Sequence, residues 1–258
     1  MRQRQDLINA LSDGRVECWY QPQFDAHTLQ LVGAEALARL RLPDGAVLAP
    51  DEFLPLAEQT GLLTDIEELI FQRVLADQSD WSAAGLKYPP VAVNLSQHRL
   101  LDDALVDHVA GCLESHHAIA LELLETAFLD NPHTPEHKTI KGLRALGLPI
   151  ELDDFGSGRA SIVAMITLSP DRIKIDRRLA EHIATRPEDL AMLQALVAVA
   201  RAQGIGVVLE GIETSEQLEA ARQIDCDVLQ GFALAPPQTG EMFAAALAPL
   251  PRTHNQRC

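Results

Sequence analysis

Pro149-Ile150-Glu151-Leu152-Asp153-Asp154-Phe155-Gly156-Ser157-Gly158 is a short strand that runs into two adjacent acids and a glycine-rich bend. Side chains alternate across a strand, so neighbouring acids in its interior would face opposite ways. At the strand's end the chain can bend and let both carboxylates reach one bound charge. A lone Asp-Asp pair is more often a solvated loop start, so the decision rests on what the other strand ends carry.

Six further runs end in polar groups that suit a shared site. Val91-Ala92-Val93 leads into Asn94, Ile119-Ala120-Leu121 into Glu122, and Gly206-Val207-Val208-Leu209 into Glu210. Leu31-Val32-Gly33-Ala34 leads into Glu35, Arg172-Ile173 into Lys174, and Asp227-Val228-Leu229 into Gln230. Apolar runs of strand length alternating with amphipathic helical stretches signal βα repeats and a parallel sheet. When such a sheet closes into a barrel, its active site lies at the C-terminal ends of the strands. One more strand, Val16 to Phe24, carries Tyr20-Gln21-Pro22 and meets the strand bearing Glu35 through a turn near Asp25-Ala26-His27. That connection is too short for a crossover helix, so the two strands are expected to be antiparallel. The reading is an α/β barrel with one reversed strand.

The chain's 258 residues match one such barrel, giving a single domain over 1–250 and a free tail over 251–258. No apolar run approaches the roughly 20 residues that span a bilayer, and the N-terminus leads into an amphipathic helix over residues 1–12 rather than a signal sequence. The expected location is the cytoplasm, with no direct membrane insertion. Cys18, Cys112, Cys226 and Cys258 form no Cys-x-x-Cys spacing, which argues against a zinc ribbon and suits a reducing compartment. They are read as core or tail residues. A formal net charge of -16 excludes a nucleic acid polymer as partner, since such binding rests on basic residues neutralising phosphates. Five of the strand-end groups are carboxylates, and like charges 4 Å apart repel by about 4 kcal/mol at an effective dielectric of 20. They can converge while ionised only around metal.

Helix signals fill the intervals. Thr64-Asp65-Ile66-Glu67 has capping-box spacing, Thr134-Pro135 reads as a cap with Pro at the first helical position and Gly147 as the stop, and Pro187 opens a helix burying Leu190, Leu193, Val197 and Ala200 up to Gly204. Thr214 to Gln217 is another capping box. Ser161 to Leu168 is an apolar segment that either buries in the fold or forms a dimer face. His133 and His137 are four apart, but Pro135 marks a helix start between them, so they read as a solvated surface pair; His116-His117 reads as a loop pair.

The ordered set of motifs resembles the EAL family of cyclic di-GMP phosphodiesterases over nearly the whole chain. It comprises Tyr20-Gln21-Pro22, Glu35-Ala36-Leu37-Ala38-Arg39, Phe53 to Glu58, Val93-Asn94-Leu95-Ser96, Asp153 to Gly158, Ile173-Lys174-Ile175-Asp176, Glu210-Gly211-Ile212-Glu213 and Gln230-Gly231-Phe232. The resemblance implies a modified (β/α)8 TIM barrel with one antiparallel strand. It implies hydrolysis of cyclic di-GMP to linear pGpG by two-metal activation of water, with two Mg2+ or Mn2+ ions per site. The implied metal ligands are Glu35, Asn94, Glu122, Asp153, Asp154 and Glu210. The implied catalytic set is Glu35, Lys174 to position or activate water, Gln230 on the far side of the metals, and Glu125 bracing the loop after Asp154. Gln21, Arg39, Glu213 and Pro236 are expected to meet the substrate, Arg39 with paired donors for a phosphate. Carboxylate and amide oxygens suit Mg2+ and Mn2+ better than zinc. Replacing Glu35 or Lys174 is expected to abolish turnover and spare the fold, as residues of a rim rather than a core. The family also implies a homodimer through the segment after the Asp153-Asp154 loop.

The match departs from the family at Leu124, where Thr is usual, at Arg159 and Ala160, where an aromatic and a serine are usual, and at Leu209, where a small residue is usual. Leu124 loses any hydrogen bond from the threonine hydroxyl, Arg159 and Ala160 bear on loop stability and dimer coupling more than on the metal site, and Leu209 is a packing change. Two other readings remain: a catalytically silent cyclic di-GMP receptor, and a different barrel metalloenzyme acting on a phosphodiester. The chain is read as either a stand-alone enzyme or the cytoplasmic output domain of a longer sensory or membrane protein.

Overall fold

A computed structural model describes residues 2–124, 131–156 and 162–248. Helix α1 (Arg2–Ser12) precedes β1 (Val16–Asp25), β2 (Leu31–Arg41) and the two-residue β3 (Val47–Leu48). Helices α2 (Pro50–Thr60) and α3 (Leu63–Ala83) lead to β4 (Val91–Leu95), then α4 (Gln97–Leu100), α5 (Leu105–Cys112) and β5 (Ile119–Leu124). Next come α6 (Pro135–Ala145), β6 (Ile150–Phe155), α7 (Ile162–Leu168), β7 (Arg172–Ile175), α8 (Arg177–Ala180), α9 (Pro187–Ala202) and β8 (Gly206–Leu209). The described chain closes with α10 (Ser215–Ala221), β9 (Val228–Leu229), β10 (Gln238–Thr239) and α11 (Gly240–Leu247).

Eight strands close into a ring in the order β1-β9-β8-β7-β6-β5-β4-β2 and back to β1. β1 runs antiparallel to both its neighbours, with Gln21 opposite Glu35 and Phe24 opposite Leu229. The other ring pairs are parallel. This is the TIM-like barrel with one reversed strand that the short β1–β2 turn required. The short β3 and β10 extend β2 and β1 beyond the ring. The helices pack Ile70, Val74, Leu143, Leu193, Val197 and Ala200 against the outward side chains of the strands, such as Ile150, Leu152, Ile173, Ile175 and Val207, and all of these are buried.

Three local expectations change. Thr64 is not a helix cap: α3 already begins at Leu63, after Leu62, which supplies no side-chain hydrogen bond. Its start rests on packing, with Leu62 and Ile66 both buried. Glu35 is not at a strand end either; β2 continues six residues past it because β1 supplies hydrogen bonds along its whole length. His137 is 4% exposed rather than solvated, since the first turn of α6 leans on α4, where Gln97 Nε2 donates to Glu136 Oε1 at 2.9 Å. His133 is exposed as expected. The Thr134 and Thr214 caps form as read, each hydroxyl accepting from the backbone N–H three residues on. Cys18 and Cys226 are buried, Cys112 is half-buried, and the region 251–258 lies outside the described residues. No helix among the described residues is long and apolar enough to cross a membrane.

Candidate active site

Alternation along each strand turns one residue in two toward the barrel axis, and near the C-terminal ends those residues are polar. The Lys174 ammonium, 1% exposed, lies 2.9 Å from Glu210 Oε1, 3.0 Å from Glu122 Oε2, 3.1 Å from Asp153 Oδ1 and 3.2 Å from Glu35 Oε2. Glu35 also accepts from Gln230 Nε2 at 2.6 Å and from Asn94 Nδ2 at 3.5 Å. Four carboxylates, two amides and a lysine from seven strands or strand ends thus form one connected cluster. These side chains are not an exposed rim: Glu35 is 6% exposed and Glu122 fully buried, so substitution there touches stability as well as chemistry.

Asp153 and Asp154 reach their places through a break in the pleat. The β6–β7 register shifts between Leu152 and Phe155, and Asp154 takes φ +56°, in the left-handed region that few side chains adopt. That kink keeps both acids on the mouth side, as the opening stretch of sequence suggested. Asp154 itself makes no ion pair with Lys174 and is half-buried. Burial, then the charges of Asp153 and Asp176, raise its carboxyl above the ordinary range.

One ammonium cannot balance this many acids. Burial and then the charge of Glu35 hold Glu122 well above the carboxylate range, and burial raises Glu210 to about 8 against the pull of Lys174. Burial acts the same way on Glu35, but the Lys174 charge and the Gln230 hydrogen bond outweigh it and keep that carboxyl low. Burial works against the Lys174 ammonium, yet the surrounding acids raise its pKa well above the ordinary value. An ammonium has three donors and here faces four carboxylates. Glu122 Oε2 and Asp153 Oδ1 lie within reach of its charge without a directed hydrogen bond, and buried Glu122 Oε1 has no hydrogen-bond partner among the described residues.

Under-satisfied hard oxygen donors are what Mg2+ or Mn2+ accepts, so the residues present fit such ions. As they stand, no three His, Cys, Asp or Glu side chains among the described residues close on a single point as a metal cage. The acids close on the Lys174 ammonium instead.

The expected substrate residues surround this cluster. Gln21 is buried opposite Glu35 in the β1–β2 register. Arg39 lies four residues along the same face of β2, its guanidinium 5.7 Å from the Trp19 ring and its Nη1 donating to the Ala38 carbonyl. Glu213 and Pro236 are exposed on the loops that follow β8 and β9, at the same end of the barrel. Gly231 allows the turn after Gln230 to press on its neighbour, since a Cβ there would lie 2.2 Å from the Ile212 carbonyl oxygen. Glu125, Ser157, Gly158, Arg159 and Ala160 lie outside the described residues.

Three supporting residues escaped the sequence reading. Gln23 Nε2 donates to Gln230 Oε1 at 2.8 Å. Glu151, buried beneath Asp153, pairs with Arg172 at 3.2 Å and leaves Oε2 without a hydrogen-bond partner among the described residues. Glu67 on α3 accepts from the Ser96 N–H at 2.7 Å and from its hydroxyl at 3.0 Å, holding the turn after Asn94. Period-two alternation from Gln21 and from Asp153 would have found the first two; only tertiary packing reveals Glu67.

A closed parallel barrel with one reversed strand and an acid-lined mouth around a buried lysine defines the architectural class. The EAL domain family model matches residues 4–237. The chain is 33% identical over 247 residues to the bifunctional diguanylate cyclase/cyclic di-GMP phosphodiesterase MucR of Pseudomonas aeruginosa, covering 94% of this chain and 36% of that protein. It is 31% identical over 239 residues to the oxygen sensor protein DosP of Escherichia coli, covering 91% of this chain and 30% of that protein. The solved cyclic di-GMP complex of the Pseudomonas aeruginosa MucR phosphodiesterase superposes with a TM-score of 0.85 at 32% identity, covering 94% of this chain and all of that one. The chain belongs to the EAL domain family. It spans about a third of the length of these curated relatives.

Proposed function

We propose that the chain is a metal-dependent phosphodiesterase that hydrolyses cyclic di-GMP to linear pGpG. The observation that carries this reading is the intact cluster of Glu35, Asn94, Glu122, Asp153, Lys174, Glu210 and Gln230 in the barrel mouth, with more carboxylate charge than its one lysine balances. Glu35, Asn94, Glu122, Asp153, Asp154 and Glu210 would hold two Mg2+ or Mn2+ ions. When bound, such ions polarise the phosphoryl oxygens and make water a stronger nucleophile. Lys174 holds positive charge where the attacked phosphodiester gains negative charge. Gln230 orients Glu35, and Gln21 and the Arg39 fork receive the substrate's phosphates. Glu213 and Pro236 border the substrate from their loops, and Glu125 braces the loop after Asp154. The likeness to a relative solved with cyclic di-GMP supports that dinucleotide as the ligand.

In the same reading the chain is one domain over 1–250, works in the cytoplasm as an output domain or alone, and pairs as a homodimer through α7. The deciding experiment is incubation of the pure chain with cyclic di-GMP and Mg2+, with products resolved by chromatography. Appearance of pGpG is the expected result. Tight binding with the cyclic dinucleotide recovered intact would replace this reading with a silent receptor.

A further inference from the structure

Gln23 stands two residues beyond Gln21 on β1, opposite Gly33 in the β1–β2 register, and is 1% exposed. A Cβ on Gly33 would lie 2.4 Å from Gln23 Oε1 and 3.4 Å from its Cβ and Cδ, so the glutamine side chain fills space that only glycine leaves open. Its Nε2 donates to Gln230 Oε1 at 2.8 Å, and Gln230 Nε2 donates in turn to Glu35 Oε2 at 2.6 Å. The polarity of this relay is set from its far end. An ionised carboxylate only accepts, so Gln230 must turn its NH2 toward Glu35 and its oxygen toward Gln23. With the Gln23 donor removed, the Gln230 oxygen is left buried without this partner, so the amide keeps its NH2 toward Glu35 but loses the contact that holds it in place.

We propose that Gln23, seated by Gly33, is a positioning residue that anchors the Gln230 amide and through it the Glu35 carboxylate, preparing that carboxylate for a divalent cation. The inference rests on the phosphodiesterase reading above only in taking Glu35 as a metal ligand. Hydrogen-bond partners of metal ligands orient them, and their loss typically weakens metal binding or activity by roughly 10- to 100-fold.

The test uses the full chain as Gln23→Met, which keeps an unbranched side chain without the donor, Gln23→Ala, Gly33→Ala and the double variant Gln23→Ala/Gly33→Ala. Mn2+ affinity is measured by calorimetry without substrate, and kcat and KM are measured on cyclic di-GMP. Gln23→Met and Gly33→Ala are each expected to weaken Mn2+ binding roughly 10- to 100-fold and to lower kcat with little change in KM. The double variant is expected to bind no more weakly than Gln23→Ala, because the clash at Gly33 has nothing left to displace. Wild-type Mn2+ affinity in Gln23→Met, or losses that simply add in the double variant, would overturn the relay. Should Gly33→Ala fail to fold, Gln23→Met decides alone. A wild-type chain that binds Mn2+ without hydrolysis would remove the phosphodiesterase reading and leave the relay standing. A wild-type chain with no Mn2+ affinity would remove both.

Discussion

Lys174 carries the cluster because it is the cation to which four carboxylates are paired in the described structure, Glu35 and Glu122 buried and Asp153 and Glu210 partly so. Removing one partner of a buried charge network leaves the rest uncompensated, at a cost of about 3–5 kcal/mol. Lys174→Ala is therefore expected to lower metal-free stability by about that amount, to recover much of it on adding Mn2+, and to lose turnover by at least about 100-fold. Urea denaturation with EDTA and with Mn2+ measures the first two; identical midpoints for variant and wild type in EDTA would refute the role in stability. The apolar runs that carry these residues are visible by eye in the sequence, although Glu35 lies within its strand rather than at its end. Their depth was not visible. Burial at the mouth depends on how eight strands tilt around one axis, and no run of neighbours encodes that. Alternation alone turns Gln23 to the same side as Gln21, but its role emerges only where it meets Gly33 and Gln230 in the folded barrel.

Elements set the site through their ends and their contacts. Helix α3 delivers Glu67 to the turn after Asn94, and burial pushes that carboxyl up from 4.5 to about 7 despite two hydrogen bonds from Ser96. The folded chain then holds a proton that the unfolded chain releases near pH 4.5. Its stabilising effect is complete below that pH and is lost as pH rises through about 7. Glu67→Gln carries no such proton and keeps a matching donor and acceptor for Ser96. Its stability relative to wild type should rise between pH 4.5 and 7 toward a ceiling of about 3 kcal/mol. Denaturant midpoints across that range check this, and parallel pH profiles would contradict it. Helix α7 buries one side of its apolar segment, Ala164, Met165 and Leu168, and leaves Ile162, Val163 and Ile166 53%, 55% and 54% exposed. The proposed homodimer would use that exposed apolar side, and Ile166→Glu is then expected to shift a sedimenting dimer to monomer. A wild-type chain that sediments as monomer at tens of micromolar would contradict the α7 pairing. Capping boxes were legible where a hydroxyl, not packing, starts the helix: Thr214 behaves as read, whereas buried Leu62 and Ile66 displace Thr64.

At the scale of the whole molecule, closure of the ring turns separate strand ends into one site. The β1–β2 connection was short enough to settle direction from sequence; the alternation of strands and helices signalled the parallel sheet, and the chain length and family resemblance its closure. Two features needed the folded chain: the left-handed Asp154 that bends β6, and the convergence of carboxylates on an ammonium rather than on each other. That convergence leaves an excess of oxygen donors, including buried Glu122 Oε1 with no hydrogen-bond partner among the described residues, which two divalent ions would answer. Anomalous diffraction from crystals of the chain soaked in Mn2+ tests this most directly. The account predicts two manganese peaks bordered by Glu35, Asn94, Glu122, Asp153, Asp154 and Glu210; density that shows no manganese there, with the four acids still gathered on Lys174, would contradict it.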